Sequence, residues 1–452
     1  MKRSLLLACS VLTLLASSRA QADVKMPAIF ASHMVVQREM PLTIWGYADA
    51  DESVTVSFSG KSAMAKADAE GKWKVTLPKF EANAKGQTMT VKGNNTVELT
   101  DVLIGEVWLG SGQSNMEMSV AGSTKAKETI AAAGDHPTIR LLHVKRAETP
   151  APAKDVELVE NGAWSICSTK TLPNFSAVLY FFGERIQKEL DVPVGLINSS
   201  WGGSPIEPWI VEDKGSGVRH NAMIAPLQPV ALRGILWYQG ESNMGQGMGY
   251  LNKTEKLVKG WRKTFGQDDL PFLFVQIAPF SGYGKNSLPN FWEAQTACLK
   301  IKGTGMAVVT DLVPNLADIH PVNKIDVGNR LALWALAKTY GKKDLVYSGP
   351  LYKSMKAEDG KIRLSFAHVG GGLKSRDGKP LTTFEIAGDD GKFVAAEAVI
   401  DGKDVVVSSK DVEKPTQARF GWTNTTNPNL SNKESLPASP FRTKDWKGGT
   451  GE

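Results

Sequence analysis

The chain is poor in the residues that metal sites and disulfide frameworks require. Of 452 residues only 3 are cysteine and 6 are histidine. No cysteines stand at zinc-ligand spacing and the string H-E-x-x-H is absent, so no zinc centre is expected. Too few cysteines are present for a disulfide scaffold. No internal apolar run approaches the roughly 20 residues that a membrane-crossing helix needs. Low-complexity tracts, a collagen period and heptad runs are all missing, which leaves an ordinary globular composition. Charge of one sign is also scarce: the formal net charge of +6 is small for the length and spread along the chain. The basic run Lys253–Lys263 mixes in Glu255 and apolar residues. It reads as a solvated helix face rather than a nucleic-acid patch, and no nucleic-acid partner is expected.

The N-terminus carries Lys2-Arg3, an apolar core over Leu5–Ala16, and then Ala20-Gln21-Ala22. That order is the pattern of a secretory signal peptide cleaved before Asp23. The expected mature protein is secreted or periplasmic. Cys9 would leave with the leader; it precedes most of the apolar core, which disfavours a lipoprotein reading. Cys167 and Cys298 remain, and an oxidising compartment leaves their pairing open.

At about 100–200 residues per domain, the length predicts two or three domains. After the leader (1–22), residues 23–100 read as a small β-sandwich-like domain. Leu42–Trp45, Val54–Phe58, Trp73–Leu77 and Met89–Val91 are short β-prone runs separated by turn residues. From 101 to 342 the text alternates. Val192–Ser199, Leu232–Tyr238, Leu270–Ile277 and Met306–Thr310 read as buried strands, and Ala177–Leu190, Tyr250–Phe265, Pro289–Leu299 and Lys324–Tyr340 as helices. In the last of these, Val327, Leu331, Trp334 and Lys338 recur at spacings of three and four. Such alternation predicts an α/β class with a mostly parallel sheet covered on both faces. From 343 to 452 a second β-rich region follows, with Ile362–Phe366, Thr383–Ile386, Ala398–Ile400, Val405–Val407 and Ala418–Trp422 as strands and Asp-Gly turns between them.

In open α/β sheets, ligands bind beyond the carboxyl ends of the strands. Polar clusters fall at four such ends: Ser111–Asn115, Asn198–Ser204, Gln239–Asn243 and Asp311–His320. The first belongs to Glu106–Met118 (EVWLGSGQSNMEM), an apolar strand that ends in a glycine turn and runs into a helix start. That geometry exposes a nucleophile, here Ser114, next to unpaired N–H groups. The string G-x-S-x-G is absent, so an ordinary α/β-hydrolase elbow is not indicated. Taken singly, Ser114 also suits a helix cap and Gly202-Gly203 a plain turn. Taken together, the clusters spell a serine hydrolase. Ser114 is the nucleophile and His320 the base. Asp318 is its orienting acid, with Asp311 as the alternative. Backbone N–H groups of Ser114 and Gly203 and the Gln239 amide are the oxyanion donors. Glu241 is read as a buried or paired acid that orients its neighbours. The histidines at 33, 136, 143, 220 and 368 lack such a setting and read as surface or packing residues.

The blocks GQSNM, WGGSPIEPW (Trp201–Trp209), WYQGESN (Trp237–Asn243) and DIHP (Asp318–Pro321) resemble those of SGNH-type hydrolases, specifically the sialate O-acetylesterase family. FASHMVVQ at Phe30–Gln37, PFLFVQIAPF and SLPASPFRT at Ser435–Thr443 extend the resemblance over nearly the whole mature chain. It implies an SGNH-type three-layer α/β/α catalytic domain with β-rich regions on either side. It implies Ser114 as nucleophile, His320 as base and Gly203 as oxyanion glycine, with Gly202 the weaker choice. Gln239 stands where the general pattern has asparagine. The implied reaction is hydrolysis of O-acetyl esters on an O-acetylated sugar or glycan, with no cofactor and no metal. The sugar would lie over aromatic loops bearing Trp201, Trp209 and Tyr238. Two rivals remain at this point: deacetylation of another glycan such as xylan or pectin, and a non-catalytic sugar-binding protein.

Overall fold

The structure, a computed structural model, describes residues 23–159, 163–211, 217–284 and 287–451. The leader expected over 1–22 lies outside the described residues. The chain builds a mixed α/β molecule around a large, mostly parallel sheet, with β-rich regions before and after it in sequence.

Six parallel strands carry the central layer: β1 (Thr96–Gly112), β2 (Ile139–His143), β3 (Val194–Ser200), β4 (Gly234–Tyr238), β5 (Phe272–Val275) and β6 (Thr304–Ala307). Their order across the sheet is β6-β5-β4-β1-β3-β2. The chain leaves β1 for β2, returns to β3 beside β1, and then crosses to β4 on the other side. β1 is therefore the switch point of the sheet, where crossovers on opposite sides leave a crevice above the strand ends. The register makes that crevice sharp, because Gly112 at the end of β1 is level with Ser200 of β3 and Tyr238 of β4.

β2, β3 and β4 are buried along nearly their whole length, as strands covered on both faces must be. The covering helices are α1 (Ser114–Glu117), α2 (Ala177–Leu190), α3 (Gly249–Phe265), α4 (Ser287–Ala297) and α5 (Lys324–Trp334). α2 starts where the Ser176 side chain accepts from Leu179 N–H, and it stops at Asp191 in the left-handed region. α5 is capped by Asn323, which accepts from Asp326 N–H. α2 and α5 touch closely because Gly328 carries no side chain: a Cβ there would lie 2.7 Å from Phe182 N. After Trp334 the helix widens into a π-turn over Ala335–Thr339. Lys338, expected on the buried stripe, is turned out and exposed.

Before the central strands, Leu42–Tyr47 pairs with Lys72–Leu77, and Ser53–Phe58 lies between Lys61–Lys66 and Asn83–Lys92. Asn83–Lys92 pairs in turn with β1, so one long strand serves both this layer and the central sheet. After the central strands, Leu351–Glu358, Lys361–Ala367, Asp404–Ser408 and Glu397–Asp401 form a four-stranded antiparallel sheet. A second sheet is built from Val394–Ala395, Phe384–Ala387, Gln417–Phe420 and Phe441–Arg442. The two share a core that includes Ile362, Phe366, Phe384, Phe420 and Phe441. Cys167 and Cys298 are separate buried thiols. Burial pushes both thiols up to about 12. Among the described residues no helix is long and apolar enough to cross a membrane.

Candidate active site at the switch point

The turn after β1 is shaped by what Gly112 permits. Its φ is +135°, and a Cβ would lie 2.2 Å from Tyr238 O. Only glycine fits a backbone pressed so closely on its neighbour. Gln113 N–H donates to Tyr238 O at 2.9 Å and Trp201 N–H to Gly112 O at 3.0 Å, so the ends of β1, β3 and β4 are tied together. Ser114 opens α1 from this tie, half-buried, with its side chain at the crevice.

His320 reaches Ser114 from the long loop after β6. Its Nε2 lies 2.8 Å from Ser114 Oγ. For Nε2 to accept the serine proton, Nδ1 must carry the ring proton. Asp318 faces that nitrogen. Its Oδ1 accepts the His320 backbone N–H at 2.8 Å and lies 3.9 Å from Nδ1. The aspartate thus turns the backbone under the imidazole and stands within ion-pair reach of the ring, without a direct Nδ1 hydrogen bond. Both side chains are close to half exposed, at 42% for His320 and 48% for Asp318. Asp311 has another engagement: Arg330 grips both its oxygens at 2.7 Å, in a pair whose side chains are 10% and 7% exposed.

The glycines after β3 differ in what their N–H groups do. Gly202 N–H donates to Glu117 Oε2 at 3.0 Å, and Glu117 Oε1 accepts from Arg146 Nε at 2.8 Å. Gly203, at φ +72°, has open space where a Cβ would stand, and among the described residues its N–H has no acceptor. Ser114 N–H, in the first turn of α1, is free in the same sense.

Gln239 departs from its expected part. It is fully buried, and its Nε2 lies 2.6 Å from Asn243 Oδ1, 3.1 Å from Gln113 Oε1 and 3.2 Å from Ser204 O. Its Oε1 accepts from Tyr250 O–H at 2.7 Å. Three acceptors already share its two amide protons, so this amide braces the loops behind the crevice. Of the aromatic residues expected to face a sugar, Trp209 and Tyr238 belong to the core. Trp209 is fully buried against Trp237 and Trp261, and Tyr238 is 1% exposed. Trp201 remains half-buried at the crevice, with the Arg219 guanidinium 4.1 Å over its ring.

Several residues of this region carried no assigned part. Gln113 Oε1 collects Gly240 N–H and Ser242 N–H besides Gln239. Asn115 donates to Glu241 Oε1 at 2.6 Å and to Ile319 O at 3.1 Å, and it accepts from Lys324 Nζ at 2.5 Å. Burial pushes the Glu241 carboxyl up and pulls Lys324 down to about 7, though the charges of Glu241 and Asp318 partly support the ammonium. Ser281 holds the His320 loop by donating from N–H and Oγ to Leu316 O. Asn424 of the C-terminal region in turn holds Phe280, Tyr283 and Gly284. Among the described residues, no group of three or more His, Cys, Asp or Glu side chains is arranged to hold a metal ion.

Residues 104–336 match the family model described as carbohydrate esterase, sialic acid-specific acetylesterase. The sialate O-acetylesterase of Homo sapiens is 33% identical over 401 residues, covering 75% of this chain and 76% of its own. That of Rattus norvegicus is 32% identical over 410 residues, covering 72% and 75%. Among solved structures, a carbohydrate acetylesterase from Xanthomonas citri superposes with a TM-score of 0.88 at 38% identity, covering 94% of this chain and 100% of that one.

Proposed function

The chain belongs to the sialic acid-specific acetylesterase family of carbohydrate esterases and is a carboxylic ester hydrolase; from that premise we propose that it removes O-acetyl groups from sugars, sialate esters foremost, through an acyl-enzyme on Ser114. The observation that carries this reading is the 2.8 Å contact between Ser114 Oγ and His320 Nε2 at the switch point of the sheet. Ser114 Oγ attacks the acetyl carbonyl carbon while His320 Nε2 takes its proton. The carbonyl oxygen gathers negative charge beside Ser114 N–H and Gly203 N–H, which have no acceptor among the described residues. As the tetrahedral intermediate collapses, His320 returns the proton to the departing sugar oxygen. Water then attacks the acyl carbon while His320 takes its proton, the bond from that carbon to Ser114 Oγ breaks, His320 returns the proton to Oγ, and acetic acid leaves and ionises to acetate. Asp318 orients the imidazole through the His320 backbone and favours the imidazolium by its charge. Trp201, half-buried with the Arg219 guanidinium over its ring, is the one of the three expected aromatics left to meet a sugar.

The named activity of the mammalian relatives and of the Xanthomonas citri protein supports acetylated sugars as substrates. The test is acetate release from a panel of O-acetylated sialosides, acetylated xylan and a simple aryl acetate, with Ser114→Ala as control. Release from sialosides that exceeds release from xylan, and disappears in Ser114→Ala, is the expected result. Preference for xylan would move the substrate to another glycan. Activity retained in Ser114→Ala would remove the nucleophile. The leader pattern over residues 1–22 supports export. N-terminal sequencing of the native protein should then begin at Asp23, and a product that retains Met1 would overturn export.

A further inference from the structure

A buried polar linkage lies behind Ser114 and takes no part in the bond-making steps. Its centre is Asn115, fully buried. Every hydrogen-bonding atom of this side chain is in use. Oδ1 accepts from Lys324 Nζ at 2.5 Å, and Nδ2 donates to Glu241 Oε1 at 2.6 Å and to Ile319 O at 3.1 Å. The orientation of the amide is forced. The Ile319 carbonyl can only accept, so it must meet Nδ2, and Oδ1 is left facing Lys324.

The chain places these contacts on both sides of the reacting pair. Asn115 directly follows Ser114, and Ile319 directly precedes His320. One amide therefore clamps the backbone of the nucleophile turn to the backbone of the base loop. Lys324 stands at the start of α5 with no exposed surface, and its Nζ lies 5.3 Å over the Tyr238 ring. Glu241 enters from the turn after β4, and its Oε2 is buried with no hydrogen-bond partner among the described residues. Burying an ammonium whose hydrogen-bond partner is a neutral amide is costly. A buried polar group whose hydrogen bonds are all made stiffens what it joins, and the Asn115 amide is such a group.

We propose that Asn115 is a positioning residue that sets the Ser114–His320 separation, and that Lys324 and Glu241 hold its amide in the one orientation that does so. This rests on Ser114 and His320 being the nucleophile and base. A displacement of about 1 Å between reacting groups can cost on the order of 100-fold in rate. Asn115 and Lys324 have no exposed surface to offer a substrate, so their loss should appear in kcat and leave KM in place.

The decisive variant is Lys324→Met, which removes the buried charge and keeps the volume, with its folding checked by circular dichroism. Kinetics are run on an aryl acetate, with kcat expressed per site titrated by an organophosphonate that labels the nucleophile. Lys324→Met and Asn115→Ala should each lose about 10- to 100-fold in kcat with KM within about 2-fold. The double variant should be no worse than the weaker single, because both act through one amide. Glu241→Gln keeps an acceptor for Asn115 and should stay within about 3-fold of wild type, whereas Glu241→Leu should fall with the others. Wild-type kcat per titrated site in Lys324→Met, or losses that multiply in the double variant, would overturn the proposal. A merely structural role would lower the melting temperature and the titratable fraction while leaving kcat per site intact. His320→Ala is measured alongside. If it retains activity, the reading of the site itself fails; if it is inactive while Lys324→Met is normal, only the positioning role fails.

Discussion

Replacing the two loop aspartates separately should divide catalysis from stability. In Asp318→Asn the carboxylate charge near His320 disappears, but an Oδ1 remains to accept the His320 N–H, so the loop should keep its shape. What is lost is the attraction between the Asp318 charge and the imidazolium of the transition state, across the 3.9 Å from Oδ1 to Nδ1. At about 4 Å that attraction is about 1 kcal/mol in bulk water and about 4 kcal/mol at the effective dielectric of a protein surface. Both groups are nearly half exposed, which places the effect at about 1–3 kcal/mol, or roughly 5- to 150-fold in kcat. This is smaller than the loss of about 10⁴ seen when a buried, directly hydrogen-bonded triad acid is changed. Asp311→Asn should behave in the opposite way. It breaks a two-pronged grip on Arg330 in a pair only 10% and 7% exposed. Breaking a buried pair typically costs about 3–5 kcal/mol, and the remaining Asn oxygen keeps the loss near the lower end. Melting should fall by about 3 °C for a chain of this length while kcat of the folded enzyme changes little. The assay is acetate release from an aryl acetate, with circular dichroism melts of both variants. If Asp311→Asn loses several orders of magnitude in kcat at unchanged stability while Asp318→Asn stays near wild type, the assignment of Asp318 is wrong.

Gln239→Ala should lower the melting temperature, because it strips partners from Asn243, Gln113 and Tyr250, and should cost kcat less than about 10-fold; a loss of 100-fold or more at unchanged melting would restore Gln239 as an oxyanion donor. Gly112→Ala sets a Cβ 2.2 Å from Tyr238 O at φ +135°, so soluble yield or activity should collapse; a well-folded, fully active variant would refute the close packing of β1 on β4. His220 is held down to about 4 by burial, beside Trp261 and bonded to Thr264. Its unfolded form protonates near pH 6.5, so between pH 6.5 and 4 the unfolded state binds the extra proton, and stability present above 6.5 is lost as pH falls, by about 3 kcal/mol in total. Denaturant melts across that range should show the decline in wild type and a shallower one in His220→Gln; equal slopes would refute it.

Much of the fold was legible because its signals are local. The expected helix Ala177–Leu190 has those bounds in the structure, since Ser176 and the left-handed Asp191 mark its ends chemically. Five of the six central strands read as short apolar runs between polar breaks, whereas β2, five residues long and interrupted by Arg140, did not. Lys61–Lys66 and Leu351–Glu358 are among the strands that escaped notice, and these two share a reason. Lys61–Lys66 (KSAMAK) pairs on one side only and leaves Met64 69% exposed, so nothing required an apolar alternation. Leu351–Glu358 buries only its first two residues and is otherwise lysine-, serine- and glutamate-rich. Strand character at such places comes from the pairing partner, not from the residues themselves.

The meeting of Ser114 with His320 follows from topology, because parallel strands bring their carboxyl ends to one edge and the polar clusters lay at those ends. What stayed hidden was the direction in which each polar side chain turns once there. Gln239 and Asn243 stand at the same strand end as Glu241, yet the Gln239 amide faces inward, since Tyr250 of α3 arrives behind it and Gln113 beside it. Trp209 looks like a loop aromatic until Trp237 and Trp261 enclose it. Arg330 did leave a trace: it stands three residues after Val327, on the apolar side of α5, where an arginine needs a buried acid, and Asp311 is that acid. Lys324 left none. It looks like a solvated residue at a helix start, and only the convergence of Asn115, Glu241 and the Tyr238 ring shows why a lysine is buried there. Residues that touch the reacting atoms sit at strand ends and can be read in one dimension. Those that hold them in place owe their position to three or four elements at once, and that information exists only after the chain has folded.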